Sequence, residues 1–123
     1  YFANSNIIGV ELNNIDYKPS NDRIKLIIGD GTDSRTFQNI ENLDIIIDDG
    51  SHIFTDQIFT YAILYDRLRK GGIYIIEDVK NIDEVGHFFN RLNTNTKIFD
   101  FRKLKGRHDD VIIEIIKKWY INK

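Results

Sequence analysis

Apolar and polar positions fall into blocks along this chain, and the blocks are of two kinds. Short apolar runs bounded by glycine, asparagine or aspartate predict strands over Ile7 to Leu12, Ile24 to Ile28, Leu43 to Ile47, Ile73 to Ile76, Lys97 to Phe101 and Val111 to Ile116. A different spacing follows Thr55. There Ile58, Tyr61, Ala62, Tyr65 and Leu68 recur at three- and four-residue steps and predict a helix with one apolar face. Arg67, Arg69 and Lys70 would occupy its last turns, where cations suit the helix dipole, and Gly71-Gly72 would end it in the left-handed conformation. Ile82 to Leu92 predicts a weaker amphipathic helix, and Asp33 or Ser34 can cap a short one over Arg35 to Ile40. Asn13 to Asp22 is polar, holds the only proline (Pro19), and reads as a loop.

Alternation of strand and helix argues an α/β protein with a Rossmann-like, doubly wound, mostly parallel sheet. The β-branched run Ile45 to Ile47 suits a strand buried on both faces. Only the basic loop Arg102 to His108 separates the last two strands, too little for a parallel crossover, so they should form an antiparallel pair at the sheet edge. At 123 residues the whole chain, 1–123, is expected to be a single domain. It opens at Tyr1, contains no methionine and enters a strand within six residues, so an upstream segment is expected.

Composition narrows the chemistry. A net charge of −2 gives no electrostatic reason to expect nucleic acid or an anionic membrane as partner. No run of apolar residues is long enough to span a bilayer, and no secretory leader pattern is present. Without cysteine there is no disulfide, thiol nucleophile or thiolate metal site, which fits a reducing, cytoplasmic setting.

Ligands of such sheets bind beyond the carboxyl ends of the strands, and acids crowd those ends here. Leu43 to Ile47 runs into Asp48-Asp49-Gly50-Ser51-His52, and Ile73 to Ile76 into Glu77-Asp78. A right-handed crossover would set these strands side by side, about 4.8 Å apart, so that Asp49, Glu77 and Asp78 converge. Converging carboxylates repel unless a proton or cation intervenes, and an all-oxygen set suits a hard ion such as Mg²⁺. The alternative is that these acids cap the helices that follow. His52 is placed to act as a general base, or simply to cover the start of the Thr55 helix. Glu11, ending the first strand, is either a ribose-binding acid or a solvated turn residue; Asp30, after Gly29, is either an adenine contact or a turn former. His87 and His108 have no comparable context. Arg102, Lys103, Lys105 and Arg107 form a basic loop that is solvated or meets an anionic group.

These residues together resemble a family. Ile-Ile-Gly-Val-Glu-Leu, Leu-Ile-Ile-Gly-Asp-Gly-Thr-Asp, Asp-Ile-Ile-Ile-Asp-Asp-Gly-Ser-His and Leu-Arg-Lys-Gly-Gly-Ile-Tyr-Ile-Ile-Glu-Asp-Val resemble class I S-adenosylmethionine-dependent methyltransferases. More narrowly they are similar to the metal-dependent macrocin- and mycinamicin-type sugar O-methyltransferases and the cephalosporin-hydroxylase-like group. Asp100-Phe101-Arg102 with Gly106-Arg107-His108-Asp109-Asp110-Val111 fits the same group, and the likeness runs from Ile7 to Lys117. The resemblance implies that Glu11, Gly29, Asp30 and Asp48 bind S-adenosylmethionine, that Asp49, Glu77 and Asp78 bind Mg²⁺, and that His52 is the base, with Asp49 also catalytic. The family's glycine-rich loop, which follows its first strand and cradles the methionine part of the cofactor, has no counterpart. The resemblance therefore implies a sheet lacking its first strand and helix.

The expected function is a Mg²⁺- and S-adenosylmethionine-dependent O-methyltransferase acting on a small-molecule hydroxyl, such as a sugar's. The alternative is a non-catalytic or incomplete Rossmann-like binding domain; a nucleotide-dependent oxidoreductase leaves the acids unexplained. The antiparallel edge and the Phe88-Phe89 region are the candidate surfaces for a homo-oligomer.

Overall fold

The computed structural model describes residues 3–92 and 95–118, and of Lys105 the backbone alone; Tyr1 lies outside the described residues. Among the described residues, six strands and three α-helices follow in the order β1 (Ile7–Glu11), β2 (Ile24–Ile28), β3 (Leu43–Asp48), α1 (Phe54–Leu64), β4 (Leu68–Ile76), α2 (Ile82–Arg91), β5 (Asn95–Asp100), α3 (Arg102–Lys105) and β6 (Val111–Ile116). One-turn 3₁₀ helices cover Ser34–Phe37 and Tyr65–Arg67. Contacts divide the chain into two units, Tyr1–Gln38 and Asn39–Lys123. No helix among the described residues is long and apolar enough to cross a membrane.

In the first unit, β1 and β2 pair in parallel from Ile7↔Ile24 to Glu11↔Ile28. The intervening polar stretch crosses over without a helix. In the second, the strand order is β3-β4-β6-β5, with β3 and β4 parallel and β6 antiparallel to both its neighbours. The antiparallel pair at the sheet edge is therefore present, with β6 inserted so that β5 is outermost. Mixed pairing with crossover helices is the Rossmann-like arrangement the sequence predicts.

Burial along the strands of the second unit has a period of two. Ile46, Tyr74, Ile76, Val111, Ile113 and Ile115 are buried, and the strand residues next to them are not. Both long helices cover that buried face. Tyr61 of α1 packs edge-on to Tyr74, with ring centroids 5.3 Å apart, and to Phe89 of α2 at 4.8 Å. The expectation that Ile45 to Ile47 is buried on both faces fails for this reason: Ile45 and Ile47 point away from the helices and stay exposed.

Helix α1 also differs from its predicted form. It starts at Phe54, stops at Leu64, and buries Gln57, Thr60, Tyr61 and Leu64, leaving Ala62 exposed. Arg67, Arg69 and Lys70 are therefore not in its last turn, and Gly71-Gly72 does not end it. Leu68, 2% exposed, has already begun β4. The glycines serve a bulge instead: Leu43 pairs with Leu68, the next pair is Ile45 with Ile73, and Gly71 takes φ +77° inside that loop-out. Lys117 closes the same corner, its ammonium donating to the carbonyls of Tyr65 (2.7 Å) and Asp66 (3.2 Å). Phe88-Phe89 is not an exposed pair. Phe89 is fully buried and Phe88 packs edge-on to Phe54.

Candidate metal centre and strand-end acids

Two groups of acids stand at strand ends, one in each unit. In the first unit Glu11 ends β1, and the Gly29 N–H donates to its carbonyl at 2.9 Å, which brings Glu11, Gly29 and Asp30 to one end of the parallel pair. Asp30 is the hub of a tight turn. Its carboxylate accepts from the Thr32 N–H (2.8 Å) and the Thr32 hydroxyl (2.7 Å), which hold it below the usual carboxylate range, and its carbonyl accepts from the Thr36 hydroxyl (2.7 Å). Gly29 is required there, because a Cβ would lie 2.8 Å from the Thr36 side chain. Glu11 accepts only a long bond from the Asn13 N–H, 3.3 Å.

In the second unit the ends of β3 and β4 are in register, Asp48 against Ile76, and the Glu77 N–H donates to the Asp48 carbonyl at 3.0 Å. The residues just beyond are thereby neighbours. Asp49, His52 and Asp78 each offer a ligand atom, and these atoms lie within 4.8 Å of one another. His52 Nε2 is 3.1 Å from Asp49 Oδ1 and 3.9 Å from Asp78 Oδ2. The group is half-exposed, open enough for an ion or a substrate atom. Glu77, at the same strand end, is not one of the three; its carbonyl accepts from the buried Gln57 amide at 3.4 Å.

Neither helix is capped by these acids. The N-cap of α1 is Ile53, without a side-chain bond, and that of α2 is Asn81, which accepts from the Glu84 N–H. Ser51 serves the start of α1, accepting from the Ile53 N–H and donating to Asp56 at 2.6 Å. Asp49 and Asp78 are thus left without the structural role the capping alternative would give them. The backbone adds a second sign. His52 (φ +57°) and Asp78 (φ +52°) are in the left-handed region, as among non-glycine residues is only Asn42 of those described. Each such residue costs on the order of 1–3 kcal/mol, and such strain concentrates at functional sites.

Asp48 points the other way, into the core, and is 8% exposed. Burial is the main reason its carboxyl is pushed up to about 6, with the Asp49 charge adding to the rise; the Tyr74 hydroxyl, donating at 3.2 Å, and the Gly50 N–H pull against it. The Tyr74 hydroxyl is raised in turn by its own burial and by the Asp48 charge. Beside Asp78, the Val79 N–H donates to the Val111 carbonyl at 3.2 Å, bringing the start of β6 alongside. There the buried Asp110 carboxylate accepts a fork from Arg107, at 2.5 and 3.1 Å. Asp110 foremost, with the Asp78 and Asp109 charges behind it, raises the Arg107 guanidinium. Of the basic loop, Arg102 is likewise tied to Asp100 at 2.7 Å, so both arginines are paired. His87 is exposed, and His108 approaches only Asp109, at 3.9 Å.

Tyr74, Gln57 and Asp110, the partner of Arg107, are the site's neighbours that the sequence did not single out. Period-two counting from Ile76 puts Tyr74 on the buried face with Asp48, which is the signal that could have found it.

The strand order of the second unit, with the inserted antiparallel β6, is that of the class I methyltransferase fold. The MycE methyltransferase of the mycinamycin biosynthetic pathway, solved with Mg and SAH, matches with a TM-score of 0.66 at 21% identity, covering 95% of this chain and 38% of that one. A fibrillarin pre-rRNA processing protein of Methanococcus jannaschii matches with a TM-score of 0.65 at 19% identity, over 90% of this chain and 55% of that one. No protein-family model matches the sequence. Its curated relatives are sugar O-methyltransferases. The 8-demethyl-8-alpha-L-rhamnosyl tetracenomycin-C 2'-O-methyltransferase of Streptomyces olivaceus is 29% identical over 84 residues, 65% of this chain and 22% of that protein. The mycinamicin VI 2''-O-methyltransferase of Micromonospora griseorubida is 41% identical over 61 residues, 46% and 15% of the two. The chain spans 15–22% of the length of these relatives.

Proposed function

We propose that this chain carries the metal and acid–base centre of an S-adenosylmethionine- and Mg²⁺-dependent O-methyltransferase whose acceptor is a hydroxyl of a small molecule, a sugar in the first instance. The observation that carries the reading is the convergence of Asp49, His52 and Asp78 at the ends of two adjacent parallel strands, in a strained backbone and without a capping role. Asp49 and Asp78, with ligand atoms within 4.8 Å of one another and of His52, fit a divalent cation, which offsets the repulsion between the acids. A cation held there lowers the pKa of a bound hydroxyl, and S-adenosylmethionine supplies the methyl group.

The chain's own residues supply the rest. Asp49 and Asp78 hold the ion, and Glu77, on the same strand end, is proposed to join them when the ion binds. Because Asp49 is an acceptor, His52 donates to it through Nε2–H, which leaves Nδ1 as the basic nitrogen. His52 takes the acceptor's proton there, a step typically contributing about 10²–10⁴-fold. In the first unit Glu11, Gly29 and Asp30 are assigned to the cofactor, Glu11 at the ribose hydroxyls and Asp30 by the adenine. This reading treats both units as parts of one methyltransferase domain. The names of the relatives support the sugar hydroxyl: each gives a numbered O-position, and that of the Streptomyces olivaceus protein a rhamnosyl group.

The test is calorimetric titration with Mg²⁺ and Mn²⁺, on this chain and on Asp49→Asn and Asp78→Asn, alongside methyl transfer to glycosylated acceptors. Binding that either substitution removes is the expected outcome. Unchanged ion binding in both variants refutes the centre.

A further inference from the structure

Asp78 holds φ +52°, and a non-glycine residue stays in that region only where its surroundings over-determine it. The two soft dihedrals of a residue set the directions of the peptide planes on either side of it, so fixing both planes fixes the residue. Both are fixed here. Beyond Asp78, Val79 is fully buried and its N–H donates to the Val111 carbonyl at 3.2 Å. Before it, the Glu77 N–H donates to the Asp48 carbonyl at 3.0 Å, and the Glu77 carbonyl accepts from the Gln57 side chain at 3.4 Å. The strands supply the backbone bonds; α1 supplies Gln57.

Gln57 lies on the buried face of α1 with Tyr61 and Leu64, and is 3% exposed. Methionine or leucine would pack there without the cost of burying an amide. A carbonyl only accepts, so the amide turns its NH₂ group to Glu77. The bond is long, but in the low dielectric of the interior its loss costs more than it would in water. We propose that Gln57 is a positioning residue: its bond to the Glu77 carbonyl holds Asp78 in the left-handed turn that brings the Asp78 carboxylate to Asp49 and His52. What Gln57 does to a bound ion rests on the metal centre proposed above; what it does to the Asp78 backbone does not. Partners standing behind a metal ligand typically change affinity about 10–100-fold, and Gln57, which acts through the ligand's backbone, is expected at the lower end, about tenfold.

The test compares the chain with Gln57→Met and Leu64→Ala. The first keeps an unbranched side chain of similar length and removes the donor. The second weakens α1 about 10 Å further along the helix axis. Nuclear magnetic resonance reads the Asp78 backbone, because at positive φ the amide and α protons of one residue lie close and give a strong Overhauser cross-peak. Calorimetric titration reads Mg²⁺ and Mn²⁺ binding. The expected result is a strong Asp78 cross-peak in the unsubstituted chain and in Leu64→Ala, weakened in Gln57→Met. The Kd for either ion should rise about tenfold in Gln57→Met alone. A cross-peak that stays strong in Gln57→Met overturns the proposal whatever the ions do, as does one that Leu64→Ala weakens equally. So does a weakened cross-peak with unchanged affinity in a chain that binds the ion, since the direction of Asp78 would then be without consequence. A chain that binds neither ion refutes the metal centre, and the cross-peak then decides the role of Gln57 by itself.

Discussion

Asp48 gives the sharpest quantitative test, because one substitution removes its titration and keeps an acceptor oxygen for one of its hydrogen bonds. Its carboxyl is pushed up to about 6 by burial and by Asp49. In the unfolded chain an aspartate titrates near 3.9. The gap, at about 1.4 kcal/mol per pH unit, corresponds to about 3 kcal/mol. The sign follows from linkage: the folded value is the higher one, so the folded state holds the proton more tightly. The contribution is fully present below about pH 3.9, is lost as pH rises through about 6, and is absent at neutral pH. In Asp48→Asn the amide oxygen still accepts from Tyr74 or Gly50, but nothing titrates. Urea unfolding followed by far-ultraviolet circular dichroism, with a chelator present, measures both proteins at about pH 4 and about pH 7. The variant should gain about 2 kcal/mol relative to the wild type between those values. A difference in stability that stays constant across the window would refute the buried, protonated Asp48.

Other substitutions separate core, backbone and surface. Phe89→Ala removes a fully buried ring in edge contact with Tyr61 and should cost about 3–5 kcal/mol in urea unfolding, whereas Leu104→Ala should stay within about 0.5 kcal/mol. Gly71→Ala forces an alanine to φ +77° and should cost about 1 kcal/mol, read as a lower midpoint at unchanged slope. Arg107→Ala withdraws a fork from the buried Asp110 and should lower the melting temperature more than Arg102→Ala, whose partner Asp100 is 38% exposed. Equal shifts would mean that the burial of Asp110 is of no consequence.

Much of the fold was legible because strand signals here are local. Ile24–Ile28 and Val111–Ile116 have the bounds their apolar runs predict, and the short connection between the last two strands forces their antiparallel pairing. The end of α1 was not legible. Leu68 suits either a helix face or a strand start, and only the tertiary bulge that gives Gly71 its positive φ decides between them. Nor could a continuous Ile-Ile-Ile run say which face of β3 the helices cover. At the site, Asp49 and Asp78 were legible because a crossover between adjacent parallel strands aligns their ends. The inclusion of His52 in the ligand group, rather than Glu77, depends on side-chain direction just past a strand end, where period-two counting stops applying.

That last point explains the strain. An extended strand sends successive side chains to opposite faces, so Glu77 and Asp78 cannot both meet Asp49 while the backbone stays extended. β4 ends at Ile76, and two residues later Asp78 turns left-handed; beyond β3, His52 does the same. Glycine would relieve either position and so stabilise the fold, but it would carry no ligand atom. Aspartate tolerates the left-handed region better than most residues, and histidine is also enriched there. The backbone therefore selects, among side chains able to bind a cation or a proton, those that bear this conformation at least cost. The same turn that costs stability is what brings the imidazole and the two carboxylates within 4.8 Å of one another.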